Sequence, residues 1–67
     1  MDSSKIAERL KALRAKTGKT QDEVAQELGI TRTAYENYEI GRRIPRDAIK
    51  MRIAEYYDTD IVTLFFD

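Results

Sequence analysis

The stretch ELGITRTAY, residues 27–35, lies between two segments with helical periodicity and contains a single glycine. Only Gly29 and Ile30 separate Leu28, the last apolar residue of the first segment, from Thr31, a residue type suited to capping the next helix. Glycine readily adopts the left-handed backbone conformation that ends a helix. A connection this short does not reverse the chain into an antiparallel hairpin. We therefore expect the second helix to leave at a steep angle, with Ile30 filling the corner.

The residues around this corner match the spacing of a helix-turn-helix unit. With Gln21 as its first position, the unit has apolar residues at positions 4, 8, 10, 15 and 18, a small residue at position 5 and glycine at position 9. The residues at these seven positions are Val24, Ala25, Leu28, Gly29, Ile30, Tyr35 and Tyr38. Agreement at all seven predicts the two-helix arrangement whose second helix enters the major groove of DNA.

The first third of the chain predicts one helix and the start of another. Ser3 or Ser4 can cap the first helix, whose apolar residues recur at helical spacing until Gly18, a candidate left-handed cap. Thr20 and Glu23 have the spacing of a capping box, which predicts that the second helix begins there.

The segment after the corner predicts three further helices. Thr31 can cap the third helix, which runs to about Ile40. Pro45 suits the first turn of the fourth, where its missing N–H is no loss, and Asp60 can cap a short fifth helix. No alternating run of β-branched residues predicts a strand. We therefore expect an all-α fold and a single domain over residues 1–67.

Composition restricts the classes of function. The chain of 67 residues has no cysteine and no histidine, and its only serines are Ser3 and Ser4. These features argue against nucleophilic catalysis and against the commonest metal sites, so we predict no enzyme, no metal and no cofactor. The sequence contains neither a signal-peptide pattern nor a long apolar run, which predicts a cytoplasmic, nucleoid-associated protein without a membrane partner.

The charged residues are segregated along the chain although the formal net charge is zero. Residues 1–20 and 41–52 each carry a net charge of +4, whereas residues 21–40 and 53–67 each carry −4. Basic blocks of this kind occur on proteins that bind polyanions and also on solvated helix faces. The charge pattern alone does not decide between these two interpretations.

Two stretches resemble a known family: TQDEVAQELGITRTAYENYEIGRRIP, residues 20–45, and IAEYYDTDIVTLF, residues 53–65. They contain a Thr-Gln helix start, a Tyr-Glu-x-Gly helix end and an Ile-Ala pair. Over residues 5–66 the chain is similar to the DNA-binding domain of the phage Cro and C1 repressors, also called the XRE family. The resemblance implies a compact five-helix, lambda-repressor-like fold, a homodimer on double-stranded operator DNA, and repression more often than activation.

The N-terminal residues of the third helix are the candidates for reading bases. We expect Arg32 to donate to N7 and O6 of a guanine, although it can equally be a surface residue paired with Glu36. Thr33 can contact a thymine methyl group or a phosphate, and Asn37 can bind adenine or a phosphate. Thr31 is the fourth candidate, and helix capping is the stronger expectation for it.

The candidates for binding phosphate lie at two helix ends. Gln21 matches the family's glutamine at the start of the second helix, where its amide and its own N–H can hold a phosphate. The loop 40–43 offers the side chains of Arg42 and Arg43 and, we expect, backbone N–H groups. The hydroxyl of Tyr35 is a further candidate, although this residue occupies a core position of the unit.

Arg14 and Glu39 match an ion pair that the family places between the first and third helices. Both residues lie among apolar neighbours in the sequence, so we expect a largely buried pair that ties these helices together. We also expect the Arg14 guanidinium to face a phosphate.

The sequence departs from the family's pattern at two positions. Ile40 stands where the family usually has a small or polar residue, and an exposed isoleucine favours a protein contact. Lys50 falls where many members have a core leucine, so we expect Ile49 or Met51 to compensate by a slight rotation of the fourth helix.

The predicted C-terminal helix is the expected dimer contact. The chain ends at Asp67 without a segment for a sensor domain, so we expect no small-molecule effector and a dimer formed by the domain itself. Leu64, Phe65 or Phe66 would form that contact, unless they only close the core. The alternative function is an antitoxin or anti-repressor, a protein-interaction module that would use Ile40, Phe66 and the acidic C-terminal face.

Overall fold

The computed structural model describes residues 1–67 and contains only helices, turns and loops. The α-helices are α1 (Ser3–Thr17), α2 (Gln21–Leu28), α3 (Arg32–Glu39) and α4 (Asp47–Tyr56), and a π-helical segment, Val62–Phe66, follows as the C-terminal turn. The predicted all-α fold with five helical elements is confirmed. None of the helices combines the length and the apolar character needed to cross a membrane.

One apolar core holds the helices together. α3 packs against both α1 and α2, and the C-terminal turn packs against α1. The core consists of eleven buried residues: Ile6, Leu10, Val24, Ala25, Leu28, Tyr35, Tyr38, Ile49, Ile53, Leu64 and Phe65. Because α3 is anchored from two sides, its remaining face is held in a fixed position toward solvent.

The corner between α2 and α3 has the backbone that its glycine predicts. Gly29 is left-handed, with φ 75° and ψ 30°. The N–H of Ile30 donates to the carbonyl of Ala25 at 3.0 Å, and the N–H of Gly29 donates to the carbonyl of Gln26 at 3.1 Å. This pair of bonds is a Schellman motif, which satisfies the last carbonyls of α2 and turns the chain. Ile30 is partly buried against the core, as expected.

Three of the predicted helix caps are present. Glu23 N–H donates to Thr20 Oγ1 at 3.1 Å, and Thr20 N–H donates back to Glu23 Oε1 at 2.8 Å, which completes the capping box. Thr31 Oγ1 accepts from the N–H of Ala34 at 3.1 Å. Asp60 Oδ2 accepts from the N–H of Thr63 at 2.9 Å and so caps the C-terminal turn from one residue before Ile61, which directly precedes it.

The prediction for the start of α1 was wrong by one residue. Asp2, rather than Ser3 or Ser4, is the N-cap, and its Oδ1 accepts from the N–H groups of Ser4 at 2.9 Å and Lys5 at 3.4 Å. A carboxylate satisfies two free donors at once and also interacts favourably with the positive end of the helix.

The prediction for the start of α4 was also wrong. Pro45 is buried and lies before α4, which begins at Asp47. The N-cap is Arg46, in an extended conformation, and its carbonyl accepts the N–H of Lys50 at 2.9 Å. The proline therefore shapes the loop that leads into the helix and is not part of its first turn.

Lys50, which was expected to stand in place of a core leucine, is buried, with only 6% of its surface exposed. Ile49 lies in the core beside it, whereas Met51 is 57% exposed, so Met51 does not compensate for the lysine. The ammonium group of Lys50 reaches Asp47 Oδ1 at 3.2 Å and lies 5.0 Å from the ring centre of Phe66. The aliphatic stem fills apolar space while the charge finds a carboxylate and an aromatic face.

Replacing Gly41 with alanine is expected to destabilise the fold more than the same change at Gly18. Both glycines are left-handed, with φ 77° and 72°, so each alanine is expected to cost about 1–2 kcal/mol of backbone strain. A Cβ at Gly41 would also lie 3.3 Å from the carbonyl oxygen of Ser3, whereas a Cβ at Gly18 meets open space. Urea unfolding of the two variants measures the difference, and equal losses would contradict the proposed contact with Ser3.

Candidate nucleic-acid interface

The solvent-facing side of α3 carries the residues predicted to read bases. Arg32 and Thr33 are exposed, and Glu36 and Asn37 are partly exposed, whereas Tyr35 on the opposite side is fully buried. The structure thus brings Arg32, Thr33, Glu36 and Asn37 to the surface, whereas Tyr35, Tyr38 and Glu39 of the same helix are buried.

Arg32 is not enclosed by other side chains. Its side chain is 62% exposed, and its nearest carboxylate is that of Glu36, whose Oε1 lies 3.9 Å from Arg32 Nε. An exposed pair at this spacing contributes only about 0.3–0.5 kcal/mol. Arg32 can therefore leave Glu36 at little cost and extend toward another partner.

The N-termini of α2 and α3 present unused backbone donors. The first intrahelical bonds of α2 and α3 begin at Val24 and Tyr35, and the caps satisfy Glu23 and Ala34. The N–H groups at positions 21, 22, 32 and 33 therefore remain for an external acceptor. Free N–H groups at a helix N-terminus favour anions.

A polar depression of about 400 Å³ lies at the N-terminus of α2, next to α3. No apolar residue lines it; the lining residues are Arg14, Thr20, Gln21, Asp22 and Arg32. Two guanidinium groups and the free donors of α2 make the depression chemically suited to a phosphate group.

The side chain of Gln21 makes a contact with α3 that its position in the sequence does not predict. Its Nε2 donates to Glu39 Oε1 at 3.1 Å. A primary amide has two N–H donors, so this bond leaves one donor of Gln21 for an external group. Glu39 thus fixes the amide and orients it at the edge of the depression.

The ion pair between Arg14 and Glu39 is present and bidentate. Arg14 Nε donates to Glu39 Oε2 at 2.7 Å, and Nη2 donates to Oε1 at 3.1 Å. Nη1 donates to the carbonyl of Lys19 at 3.1 Å. Glu39 is 1% exposed, whereas the side chain of Arg14 is 25% exposed. The carboxylate is therefore buried, and the guanidinium keeps one edge at the depression.

The contacts of Glu39 decide its charge state. Burial alone would raise the pKa of this carboxyl group, but the hydrogen bonds from Arg14 and Gln21, together with the nearby hydroxyl of Tyr35, outweigh burial and hold its pKa below the ordinary value. The bond to Glu39 raises the pKa of Arg14. The pair is therefore fully ionised near neutral pH.

Tyr35 does not reach the surface, so its predicted phosphate contact is not available in this structure. The residue is 0% exposed, and its hydroxyl oxygen lies 2.6 Å from that of Tyr57. Burial raises the pKa of Tyr35, and burial also raises the pKa of Tyr57 to about 12. The two phenols hold α3 against the end of α4, a contact that the core position of Tyr35 left unspecified.

The loop 40–43 offers side chains but no free backbone donors, contrary to the prediction. The N–H of Ile40 bonds to Glu36, that of Gly41 to Tyr38, and those of Arg42 and Arg43 to Asn37. The bonds of Gly41 and Arg42 form a Schellman motif that the left-handed glycine makes at the end of α3, and the N–H of Arg43 shares the carbonyl of Asn37 with Arg42. The side chains of Arg42 and Arg43 are exposed, so they alone can meet an anion.

Comparisons with known proteins agree with this geometry. Residues 5–64 match the family model described as a helix-turn-helix domain. The chain is also 39% identical, over 57 residues, to the cryptic phage CTXphi transcriptional repressor RstR of Vibrio cholerae serotype O1, an alignment that covers 85% of this chain and 51% of that repressor. The chain spans about half the length of this curated relative. No solved structure gives a significant match.

The chain is a helix-turn-helix domain similar to the DNA-binding domains of phage repressors. It belongs to the helix-turn-helix family, and the resemblance to the Cro/C1, or XRE, repressors is confirmed.

Removing Arg14 is expected to destabilise the fold far more than removing an exposed cation. Arg14→Ala leaves the buried carboxylate of Glu39 without its ion-pair partner, an expected loss of about 3–5 kcal/mol. The matched control is Lys19→Ala, because Lys19 and Glu27 form a pair that is 41% and 44% exposed, and solvent screens such a pair, so its removal should change the free energy of unfolding far less. Urea unfolding measures the free energy of unfolding of both variants. Similar losses would show that the buried pair stabilises the fold no more than an exposed pair does.

The contribution of Glu39 is expected to disappear in acid. Because its folded-state pKa lies below the unfolded value, its stabilisation is complete above the unfolded pKa and is lost as the pH falls through the folded pKa. The wild type should have a larger free energy of unfolding than Glu39→Gln at about pH 6, and this difference should shrink as the pH falls to about 3. A difference that stays constant over this range would mean that the carboxylate is not held ionised by its neighbours.

Proposed function

We propose that the protein binds double-stranded operator DNA in a sequence-specific manner as a homodimer and represses transcription. The observation that carries the proposal is the surface of α3, whose exposed polar side chains stand beside two helix N-termini with free N–H donors. Repression is favoured over activation because the relative at 39% identity is named a transcriptional repressor.

In the proposed complex α3 lies in the major groove, and Arg32 is the principal base contact. Its exposed guanidinium has the donor geometry to bind N7 and O6 of a guanine. Thr33 and Asn37, one turn apart on the same helix, contact neighbouring bases or a phosphate. Thr31 is the weakest of the four candidates because its hydroxyl already caps α3, although its side chain is exposed.

Phosphate groups are proposed to bind on both sides of α3. One phosphate occupies the polar depression, where Gln21 and the exposed edge of Arg14 provide donors. Another meets the side chains of Arg42 and Arg43 after the C-terminal end of α3. These contacts set the position of α3 in the groove, and they carry no sequence information themselves.

The C-terminal turn is proposed as the dimer contact. Leu64 and Phe65 are in the core, so they are not available to a partner, whereas Val62 and Phe66 are 56% and 52% exposed. A second copy that packs on this apolar surface would place two α3 helices on one face of the DNA. Their half-sites would then lie about one helical turn, roughly 34 Å, apart.

The primary test is fluorescence anisotropy with duplexes selected from a random pool. The proposal predicts a strong preference for the selected duplexes and a log K that falls by about 0.9 for each phosphate contact per tenfold rise in salt. Absence of binding to every duplex at low salt would contradict the proposal and favour a protein-interaction module, for which the exposed Ile40 and Phe66 are available.

Arg32→Ala and Arg43→Ala are expected to impair binding in different ways. Loss of Arg32 should weaken binding to the selected duplex by about 1–3 kcal/mol and relax the sequence preference at one base pair, because a base contact is removed. Loss of Arg43 should weaken binding to all duplexes alike and reduce the slope of log K against log salt concentration by about 1, because a phosphate contact is removed. Competition against a panel of single-base variants separates these results, and uniform weakening by Arg32→Ala would contradict its assignment.

Phe66→Ser is expected to weaken the dimer, whereas Phe66→Leu retains the apolar contact. The serine variant should lose affinity for a duplex with two half-sites but bind a single half-site as the wild type does, because the base contacts are intact. Sedimentation on DNA and anisotropy measure the two effects. Equal behaviour of both variants on the double site would place the dimer contact elsewhere.

A further inference from the structure

α3 carries one outward-facing carboxylate that the proposed function does not use. Glu36 keeps 35% of its side chain exposed, and its one ion-pair partner is Arg32, at 3.9 Å. The other carboxylate of α3, Glu39, is 1% exposed and neutralised by Arg14. Glu36 is therefore the only acidic charge that α3 brings to the proposed DNA surface.

A carboxylate at this surface is unfavourable next to most duplex sequences. The phosphates of DNA are negatively charged along its whole length, and the major-groove edges of guanine and the oxygen of thymine are acceptors that a carboxylate cannot bind. The amines of cytosine (N4) and adenine (N6) are donors, but adenine also presents its N7 acceptor beside the amine, so cytosine is the base best suited to a carboxylate. The consequence of placing Glu36 there thus depends on the base that it meets.

The contact with Arg32 makes this dependence sharper. In the free protein the cation nearest to Glu36 is Arg32, at 3.9 Å. This distance is too long for a hydrogen bond, and both side chains are partly exposed. When Arg32 donates to a guanine, its charge is shared between the base and Glu36, so the carboxylate is less well compensated than in the free protein. Glu36 must then find a donor on the DNA or remain poorly compensated among phosphates.

We infer that Glu36 is a specificity-determining residue, which accepts a hydrogen bond from the N4 amine of a cytosine in the operator and disfavours duplexes with any other base at that place. The inference rests on the proposed function. Arg32 and Glu36 then read a guanine and a cytosine as a coupled pair, and much of the discrimination comes from rejecting wrong sequences.

The test compares wild type with Glu36→Gln, which keeps the shape of the side chain and removes its charge. Binding is measured by anisotropy to a duplex selected by the wild type and to a random-sequence duplex of equal length. We expect the affinity for the random duplex to rise several-fold and the ratio of the two affinities to fall about tenfold. A second selection with the variant should replace cytosine by adenine at one position, because glutamine pairs with adenine through two hydrogen bonds.

The matched control is Glu55→Gln, an identical change of charge at an exposed position of α4, outside the proposed DNA surface. This variant should change both affinities by the same small factor and leave the selected sequence unchanged. Thermal melting should be nearly unaffected in both variants, because neither carboxylate is buried.

The results separate the inference from the function on which it rests. Wild-type protein that does not discriminate between the selected and random duplexes would contradict the proposed function, and the inference with it. Wild-type discrimination together with a Glu36→Gln variant that behaves like Glu55→Gln, or that raises both affinities equally, would overturn the inference alone.

Discussion

The arrangement of the helices depends on the buried carboxylate of Glu39. It lies near the end of α3, yet its hydrogen-bond donors come from Arg14 on α1 and Gln21 at the start of α2. A buried charge tolerates little displacement of its partners, because a lost partner leaves it unpaired in a poorly solvated place. The interaction therefore fixes α3 relative to α1, and it orients an amide at the edge of the polar depression. In this way a contact inside the fold sets the geometry of the surface that is proposed to meet DNA.

The fold was largely predictable because its signals are local. The capping box of Thr20 and Glu23 and the left-handed turn at Gly29 each involve residues that are close in the sequence. Their spacing is therefore sufficient to predict them. The ends of α1 and α4 were less predictable because several residue types compete there. Asp2 offers a better acceptor than the serines that follow it, and Arg46 begins α4 through its backbone alone.

Sequence reasoning missed most contacts between distant residues, and it expected the Arg14–Glu39 pair only through the family resemblance. The bond from Tyr35 to Tyr57 and the burial of Lys50 beneath Phe66 depend on how helices pack, and no spacing rule encodes them. A lysine is usually exposed, so the only indication that Lys50 is buried was its alignment with a position where many family members have leucine. The internal use of the N–H of Arg42, by contrast, follows from the left-handed glycine before it and could have been predicted. The residues of the candidate site on α3 were predicted because the helical period separates them from the core.

The most direct test of the account is to locate the DNA contact on the protein itself. Amide chemical shifts of ¹⁵N-labelled protein would be recorded during titration with a duplex isolated by selection. We expect the largest changes on residues 21–22, residues 31–37 and the Arg42–Arg43 pair. Changes confined to α4 and the exposed end of α1, with α3 unaffected, would contradict it.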